Sequence, residues 1–553
     1  MDTKEKKRDS ITTATPVTTG PAENENLLAA TAKGASYLIL LQFLSRMLTF
    51  SLNQIVLRYV SKATFGIASV NLELLSSTIL FISREGFRSA LIRSSKNQQS
   101  IINLAYIPTL FGLVTTLITC AYYLSTITEE QSTEFPYYPL AVILYGAASF
   151  LELAVEPLFV LALNQLYFQL RVTVEGVAVI LRCLITFGLT LYFAGNEKLS
   201  ILAFAIAQFI FGLTMMLGYL GFFLYKEKSI QKLLPHKITD DEKKRSYWFD
   251  KTLLNLGITM TKQSFLKHVL TEGDKMLISV LSSMQDRGVY AFVVNYGSLI
   301  VRILFQPLEE TGRTFFSKLL LSSDEKIDER KQRSNEQTAA NVLLILIKFH
   351  VLLGLIFICF ATNYTSTLID LLVGKEWSIG EGDAPGVLSM YCIYIPFMGI
   401  NGITEGFVQA VANKNDLTRL SYFMILFSVC FMTSGYVFMH LLELGAVGLI
   451  LANMVNLGIR ISYSWYYICK YFGKHVTLSV RQWSPHVATL SSFVLAWFVT
   501  HWSKNNIGWY TLKQKVLHIA VGGITFILVF IILIWKEKAL ITDVKRLKTH
   551  KYE

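Results

Sequence analysis

A polytopic all-α membrane protein is the fold class this sequence predicts, and three observations predict it. Of 553 residues, 52% are hydrophobic and only 16% charged, well below the ~25% charged residues of a soluble domain. Apolar windows long enough to cross a ~30 Å hydrocarbon core recur along the chain. Lys and Arg gather in alternate loops, the asymmetry that orients membrane helices.

Residues 1–34 are polar, Thr-rich and without an apolar signal-peptide core. They read as a disordered cytosolic tail, so the first span serves as the insertion signal. Spans are expected near 35–60, 64–83, 101–124, 137–163, 172–194 and 200–225, which make an N-lobe over 35–225. A charged cytosolic linker loop covers 226–262. A C-lobe over 263–470 holds windows near 263–282, 288–310, 340–361, 387–412, 417–440 and 444–469. Spans 13 and 14 fall near 485–502 and 515–536 within 471–537, and 538–553 is a second cytosolic tail. The total is about fourteen helices: two pseudo-symmetric six-helix lobes plus two appended helices.

Loop charge supports this order. With the amino end in the cytosol, Arg84, Arg88, Arg93 and Lys96, then Lys243, Lys244 and Arg245, then Arg330, Lys331 and Arg333 all fall on the cytosolic side, as do Lys545, Arg546 and Lys548 of the tail. The opposite loop at 125–136 has neither Lys nor Arg. Both termini are therefore expected in the cytosol. The one N-x-S/T sequon begins at Asn363, in the expected lumenal loop between spans 9 and 10. It is a candidate glycosylation site in a secretory-pathway membrane.

The two lobes share an internal repeat. Ile55-Val-Leu-Arg-Tyr-Val-Ser61-Lys-Ala-Thr-Phe-Gly66 aligns without gaps on Leu277-Ile-Ser-Val-Leu-Ser-Ser283-Met-Gln-Asp-Arg-Gly288, at an offset of 222. Both read span, Ser, short polar turn, Gly, new span. A shift of three then sets Arg84-Glu85-Gly-Phe-Arg88 on Glu309-Glu310-Thr-Gly-Arg313. Spans 1 and 7 run in the same direction, so the repeat is parallel.

Ionisable groups at membrane depth need a sheltered place. In span 7, His268, Glu272 and Lys275 are spaced i, i+4, i+7 and share one helical stripe, and the repeat offset puts Arg46 of span 1 on His268. These four, with Arg302 in span 8 and Arg84, Arg88, Glu309 and Arg313 at the cytosolic ends of spans 2 and 8, are the candidate lining of a hydrated cavity. Such a basic lining suits an anionic ligand such as a pyrophosphate. Glu73, Glu152, Glu156, Glu175 and Glu405 are close enough in the pattern to neutralise the bases instead. Pro157, Pro307 and Pro396 mark candidate kinks.

Several classes are excluded. The six Cys fall mostly inside apolar stretches and form no CxxC pair, so neither a metal cluster nor a disulfide framework is expected. There is no P-loop. Glu272-Gly-Asp274 lies within a span, and Glu381-Gly-Asp383 sits in a loop too short for a lumenal catalytic domain. An enzyme and a bound cofactor are therefore not expected. The net charge of +12 is scattered over many loops and suits an anionic leaflet, not nucleic acid.

Six motifs, in order, resemble the eukaryotic Rft-type oligosaccharide translocation proteins. They are Arg84-Glu85-Gly86-Phe87-Arg88, Glu156-Pro157, Leu270-Thr-Glu272-Gly-Asp274-Lys275, Tyr296-Gly297 with Arg302, Pro307-Leu-Glu309-Glu310, and Tyr394-Ile-Pro396 with Asn401-Gly402-Ile-Thr-Glu405. The resemblance implies the multidrug/oligosaccharidyl-lipid/polysaccharide flippase superfamily, with two six-helix lobes around a central cavity in the ER membrane. It further implies a role in N-glycosylation: moving the mannose-bearing dolichol-pyrophosphate oligosaccharide from the cytosolic to the lumenal leaflet. The implied partners are that lipid, the ER bilayer and other N-glycosylation machinery. A non-transporting accessory role in the same pathway is the alternative it leaves open.

Overall fold

The structure is a computed structural model that describes residues 50–92, 98–165, 167–227, 233–240, 245–320, 329–380, 382–473, 478–538 and 542. The expected tail at 1–34, Arg46 with most of the first window, Glu381 and the end of the chain lie outside the described residues. The chain divides into residues 1–52 and a compact unit, Asn53–Glu553. Of the first, only residues 50–52 are described, and they are helical.

The compact unit is helical almost throughout. After helical residues 53–57 come α1 (Lys62–Ile92), α2 (Gln98–Ser125), α3 (Tyr138–Ala154), α4 (Glu156–Asn164), α5 (Phe168–Tyr192) and α6 (Glu197–Glu227). A two-stranded antiparallel hairpin, β1 (Ile238–Asp240) and β2 (Arg245–Tyr247), pairs Ile238 with Tyr247. Then follow α7 (Lys251–Leu281), α8 (Met284–Leu320), α9 (Gln332–Leu372), α10 (Ala384–Val411), α11 (Asn415–Leu441), α12 (Gly445–Phe472), α13 (Val487–Asn506) and α14 (Leu512–Lys536). Among the described residues ten helices are long and apolar enough to cross a membrane, and α3 with α4 makes an eleventh if the bent pair is one span. α7 and α13 are not among them. The first is crowded with charge from Lys251 to Lys275, the second rich in Ser, Thr and His.

Departures from straight helix have local causes. The 40° bend between α3 and α4 falls just before Pro157, the kink expected there. In α8 a π-helical turn, Val301–Phe305, lies immediately before Pro307. Similar turns interrupt α1 at Ile67–Leu72 and α9 at Phe357–Ala361. Each inserts extra backbone and re-aims the residues after it.

The two copies of the repeat start alike. Ser61 caps α1 by accepting from the Thr64 N–H, and Ser283 caps α8 by accepting from the Asp286 N–H. Five positions later, the matched glycines meet. A Cβ on Gly66 would lie 2.4 Å from the Met284 carbonyl oxygen, and one on Gly288 would lie 1.8 Å from the Lys62 carbonyl oxygen. Residue 62 is the repeat partner of 284, and 66 of 288, so each contact is answered by its mirror. Reciprocity of this kind is what a two-fold axis produces. Hydrogen bonds fasten the same end. Arg58 donates to the Leu371 and Leu372 carbonyls at 3.0 and 2.9 Å, and Trp377 to the Leu57 carbonyl at 3.0 Å.

At the opposite end α1 lies against α7, where a Cβ on Gly86 would be 2.3 Å from the Thr261 backbone. Lipid gives helices no hydrophobic reason to associate, so such close backbone approach supplies much of the packing. The linker expected as a loop over 226–262 is partly ordered, and helix begins at Lys251, ahead of the apolar window. Buried Asn103 of α2 holds the segment before it. Its amide donates to the His236 and Trp248 carbonyls at 2.7 and 2.8 Å and accepts from the His236 N–H at 3.1 Å. Tyr106 adds a bond to the Leu233 carbonyl at 3.1 Å.

Candidate functional site

The described candidate residues fall into three groups. The first lies among α1, α3, α4, α5 and α6. Where α1 passes α4, Arg88 holds Glu156 with two parallel bonds, one of them Nε to Oε1 at 2.6 Å and the other Nη2 to Oε2. The Glu156 side chain is only 1% exposed, so this is a desolvated, charge-assisted pair. Arg84, one turn earlier, is shared between Glu152 at 3.4 Å and Glu156 at 3.9 Å. Arg171 bonds Glu175 at 2.9 Å. Phe159 is flanked by both Arg88, 4.0 Å from the ring centre, and Arg171, at 5.5 Å. Arg84, Arg88, Glu152, Glu156, Arg171 and Glu175 line a cavity of about 270 Å³ with Phe159, Phe211 and Met215. Pockets that take drug-sized ligands run about 300–1,000 Å³. The cavity therefore suits a small polar group and not an oligosaccharide.

The second group is the α7 stripe, which the structure divides. Lys275 pairs with Glu272 at 3.0 Å and reaches Glu73 of α1 at 3.4 Å. The Glu73 side chain is 60% exposed, so this end of the stripe is open. His268 is not: it is 1% exposed, its Nε2 lies 3.0 Å from the Thr78 hydroxyl, and its ring is 5.1 Å from Phe81. His268 therefore packs against α1 in this structure and does not face the open end of the stripe. One helical stripe faced two surroundings, because α1 crosses α7 and covers its middle. Asp274, between the two pair members, accepts from Tyr290 at 2.8 Å.

The third group lies where α8, α10 and α12 meet. Buried Glu405 bonds Arg460 at 2.5 Å and accepts from Asn401 and Gln409, each at 3.2 Å. Half-buried Glu309 lies against α10, where a Cβ on Gly402 would be 2.8 Å from its carboxylate. Arg313 donates to Gln409 at 3.3 Å. Arg302 is exposed and has no ion-pair partner among the described residues.

At Asn363 the loop expected from the sequence is helix, since α9 runs on to Leu372. Its side chain is buried and donates to the Trp497 carbonyl at 3.2 Å and the Thr500 hydroxyl at 2.8 Å, both on α13. His518 completes this junction. It stacks on Tyr364 with ring centres 4.2 Å apart and lies 2.8 Å from the Ser503 hydroxyl. Ion pairs Lys515–Asp370 and Lys348–Glu537 join α14 to α9 at its two ends.

Sequence reasoning overlooked Arg171, Arg182 and Arg460. Arg182 donates to Gln208 at 3.1 Å and sits 5.1 Å from the Phe211 ring centre. All three are basic residues inside apolar spans, the signal that singled out Arg302. Arg171 and Glu175 also carry i, i+4 spacing. Among the described residues all six cysteines are free, and no group of three or more His, Cys, Asp or Glu is placed to hold a metal ion.

The fold resembles that of two solved membrane-protein structures. A structure of the lipid II flippase MurJ in an inward closed conformation matches with a TM-score of 0.55 at 14% identity, covering 90% of this chain and 98% of that one. An inward-facing multidrug resistance MATE family transporter matches at 0.52 and 13%, covering 78% and 96%. These likenesses speak for the fold alone. The sequence match is closer: the Rft protein family matches residues 30–547, and the chain belongs to that family. The Man(5)GlcNAc(2)-PP-dolichol translocation protein RFT1 of Xenopus tropicalis is 33% identical, over 94% of this chain and 96% of that protein. The protein of the same name from Candida glabrata is 32% identical, over 94% and 97%.

Proposed function

We propose that this chain carries the dolichol-pyrophosphate-linked, mannose-bearing oligosaccharide from the cytosolic to the lumenal leaflet of the ER membrane, as a step of N-glycosylation. Near-complete coverage of relatives named for Man(5)GlcNAc(2)-PP-dolichol translocation supports the substrate. The observation that carries the mechanism is the arginine-lined cavity between α1 and α4. Arg84 and Arg88 bind the diphosphate, the sugars occupy water outside the cavity, and the polyprenyl tail stays in lipid. Charge on the ligand makes the crossing costly, and fixed guanidinium groups offset that cost.

The architecture proposed for this work is fourteen helices with both termini in the cytosol. The eleven apolar spans are joined by α7, by α13 and by the window at 35–60. Reciprocal contact of Gly66 and Gly288 supports two six-helix lobes related by an axis along the membrane normal, with α13 and α14 appended. Rocking of one lobe against the other then exposes the cavity to each side in turn.

The test is purified full-length protein in liposomes with Man(5)GlcNAc(2)-PP-dolichol and an assay of which leaflet holds it. Protein-dependent transfer that falls at least tenfold in Arg88→Gln is expected. Correctly folded protein that transfers nothing would overturn the reading in favour of an accessory role. In cells, depletion is expected to accumulate the incomplete lipid-linked precursor and to leave secreted glycoproteins underglycosylated.

A further inference from the structure

Inside the α1–α4 cavity the arginines already hold anions. Glu156 grips Arg88 through both carboxylate oxygens, as a phosphate would, and Arg84 is held between Glu152 and Glu156. The six lining charges cancel, three Arg against three Glu. A diphosphate joined at both ends, to a sugar and to a lipid, carries two negative charges at any pH near neutrality. It cannot enter this balance by filling a vacant lining arginine, since each of the three already faces a carboxylate. It must displace a carboxylate, and the displaced carboxylate is then buried, unpaired and beside a like charge, an arrangement proteins avoid.

We propose that the cavity is a proton-exchange site: the ligand's diphosphate replaces Glu156 on Arg88, and Glu156 takes up a proton, so that ligand and proton bind and leave together. This rests on the reading of the cavity as the diphosphate subsite. The step is balanced. The Arg88–Glu156 ion pair opens, Arg88 closes on a phosphate oxygen, and a proton from water forms an O–H bond on a Glu156 carboxylate oxygen. Release reverses each event and returns the proton to water on the side where the ligand departs.

The groups facing Glu156 leave the carboxylates as the acceptors. Arg84, Arg88 and, nearby, Glu85 come from α1; Glu152 from α3; Arg171, Glu175 and Arg182 from α5. No Lys or His lines the cavity. Tyr219 of α6, fully buried, packs edge-on against Phe159 with ring centres 5.7 Å apart.

The test uses full-length protein in detergent and farnesyl diphospho-N-acetylglucosamine as the probe, a diester whose own charge is constant from pH 6 to 8. Calorimetric titration in two buffers of different ionisation enthalpy reads the protons taken up per ligand. Wild type is expected to take up at least one, with binding tightening about tenfold per unit fall in pH. Glu156→Gln, which removes the proton acceptor but keeps its shape, is expected to bind at pH 8 at least as tightly as wild type and to lose about one proton of uptake. Glu152→Gln, on the less tightly held Arg84, is expected to keep most of the uptake. Binding with no uptake and no pH dependence in wild type overturns the proton inference and leaves the subsite standing. So does uptake unchanged in Glu156→Gln. Folded wild type that binds no probe at any pH overturns the subsite and the inference together. If Glu156→Gln does not fold, the wild-type proton count alone decides.

Discussion

Replacing Gly288 by Ala tests the place where the repeats touch. The added methyl would lie 1.8 Å from the Lys62 carbonyl oxygen and 2.7 Å from its carbon, with the Gly66 nitrogen at 3.2 Å. Overpacking in a tight site costs about 1–3 kcal/mol when side chains can yield. Here the obstacle is helix backbone, which cannot rotate aside, so the cost falls at about 3 kcal/mol or above. Gly66→Ala, 2.4 Å from the Met284 carbonyl, is expected to follow closely. Gly188 and Gly221 are the controls: both lie within helices, and a Cβ there meets nothing within 4 Å. Ala at either is expected to be neutral or to stabilise by up to about 1 kcal/mol through helix propensity. The assay is fluorescence-detected thermal unfolding in detergent at one fixed scan rate, since such midpoints depend on rate. Test and control variants should separate by several degrees. Because both glycines act at one crossing, the double variant should lose less than the two single losses added together. Gly288→Ala melting with Gly188→Ala would refute the close crossing, and with it the structural case for the two-fold axis.

Four other outcomes are expected. Arg88→Gln strands a buried carboxylate and should cost about 3–5 kcal/mol, whereas Arg88→Gln with Glu156→Gln should recover most of it; strict additivity in that thermal cycle would count against the pair. Cysteine at 275, beside exposed Glu73, should react with a small water-soluble thiol reagent and cysteine at 268 should not, so labelling at 268 would contradict the burial of that position. Endoglycosidase should leave the protein's gel mobility unchanged, while Asn363→Ala should lower the melting midpoint by the equivalent of about 1–3 kcal/mol for orphaned polar groups; a glycan on Asn363 would refute the packing of α9 on α13. Asn103→Ala should free the linker and speed tryptic cleavage at Lys237 and Arg245, and wild-type resistance there would show that the linker does not depend on this residue.

What the sequence made legible follows from what periodicity and charge can encode. Hydropathy located the ten or eleven apolar helices because each is apolar over its own length. The repeat was visible at Ser61/Ser283 and Gly66/Gly288 because a cap and a close crossing each demand a particular residue type. The α7 charges announced that they are sheltered, but not what shelters them. Shelter by Thr78 and Phe81 at His268, and by Glu73 at Lys275, depends on where α1 crosses, which no local pattern records. The pairing of Arg84 and Arg88 with Glu152 and Glu156 was undecidable for the same reason, since 68 residues separate Arg88 from Glu156. Asn363 looked like a loop residue because the sequon is polar. Its polarity instead serves the Trp497 carbonyl and Thr500 across a helix junction.

The glycine crossing also explains how the repeats are free to differ. At the crossing each glycine faces the main chain of its counterpart helix: the carbonyl of Lys62 on one side and of Met284 on the other. Every residue type presents the same carbonyl there. The constraint therefore falls on the two glycines, which match, and not on positions 62 and 284, where one copy carries a cation and the other a thioether. In a pair of identical subunits a change at such a contact would strike twice. Joined in one chain, each half can change its chemistry alone while the seam between them keeps its shape. Unequal halves can thus grow on a symmetric joint, with Arg84 and Arg88 paired to Glu152 and Glu156 in the first and Arg460 paired to Glu405 in the second.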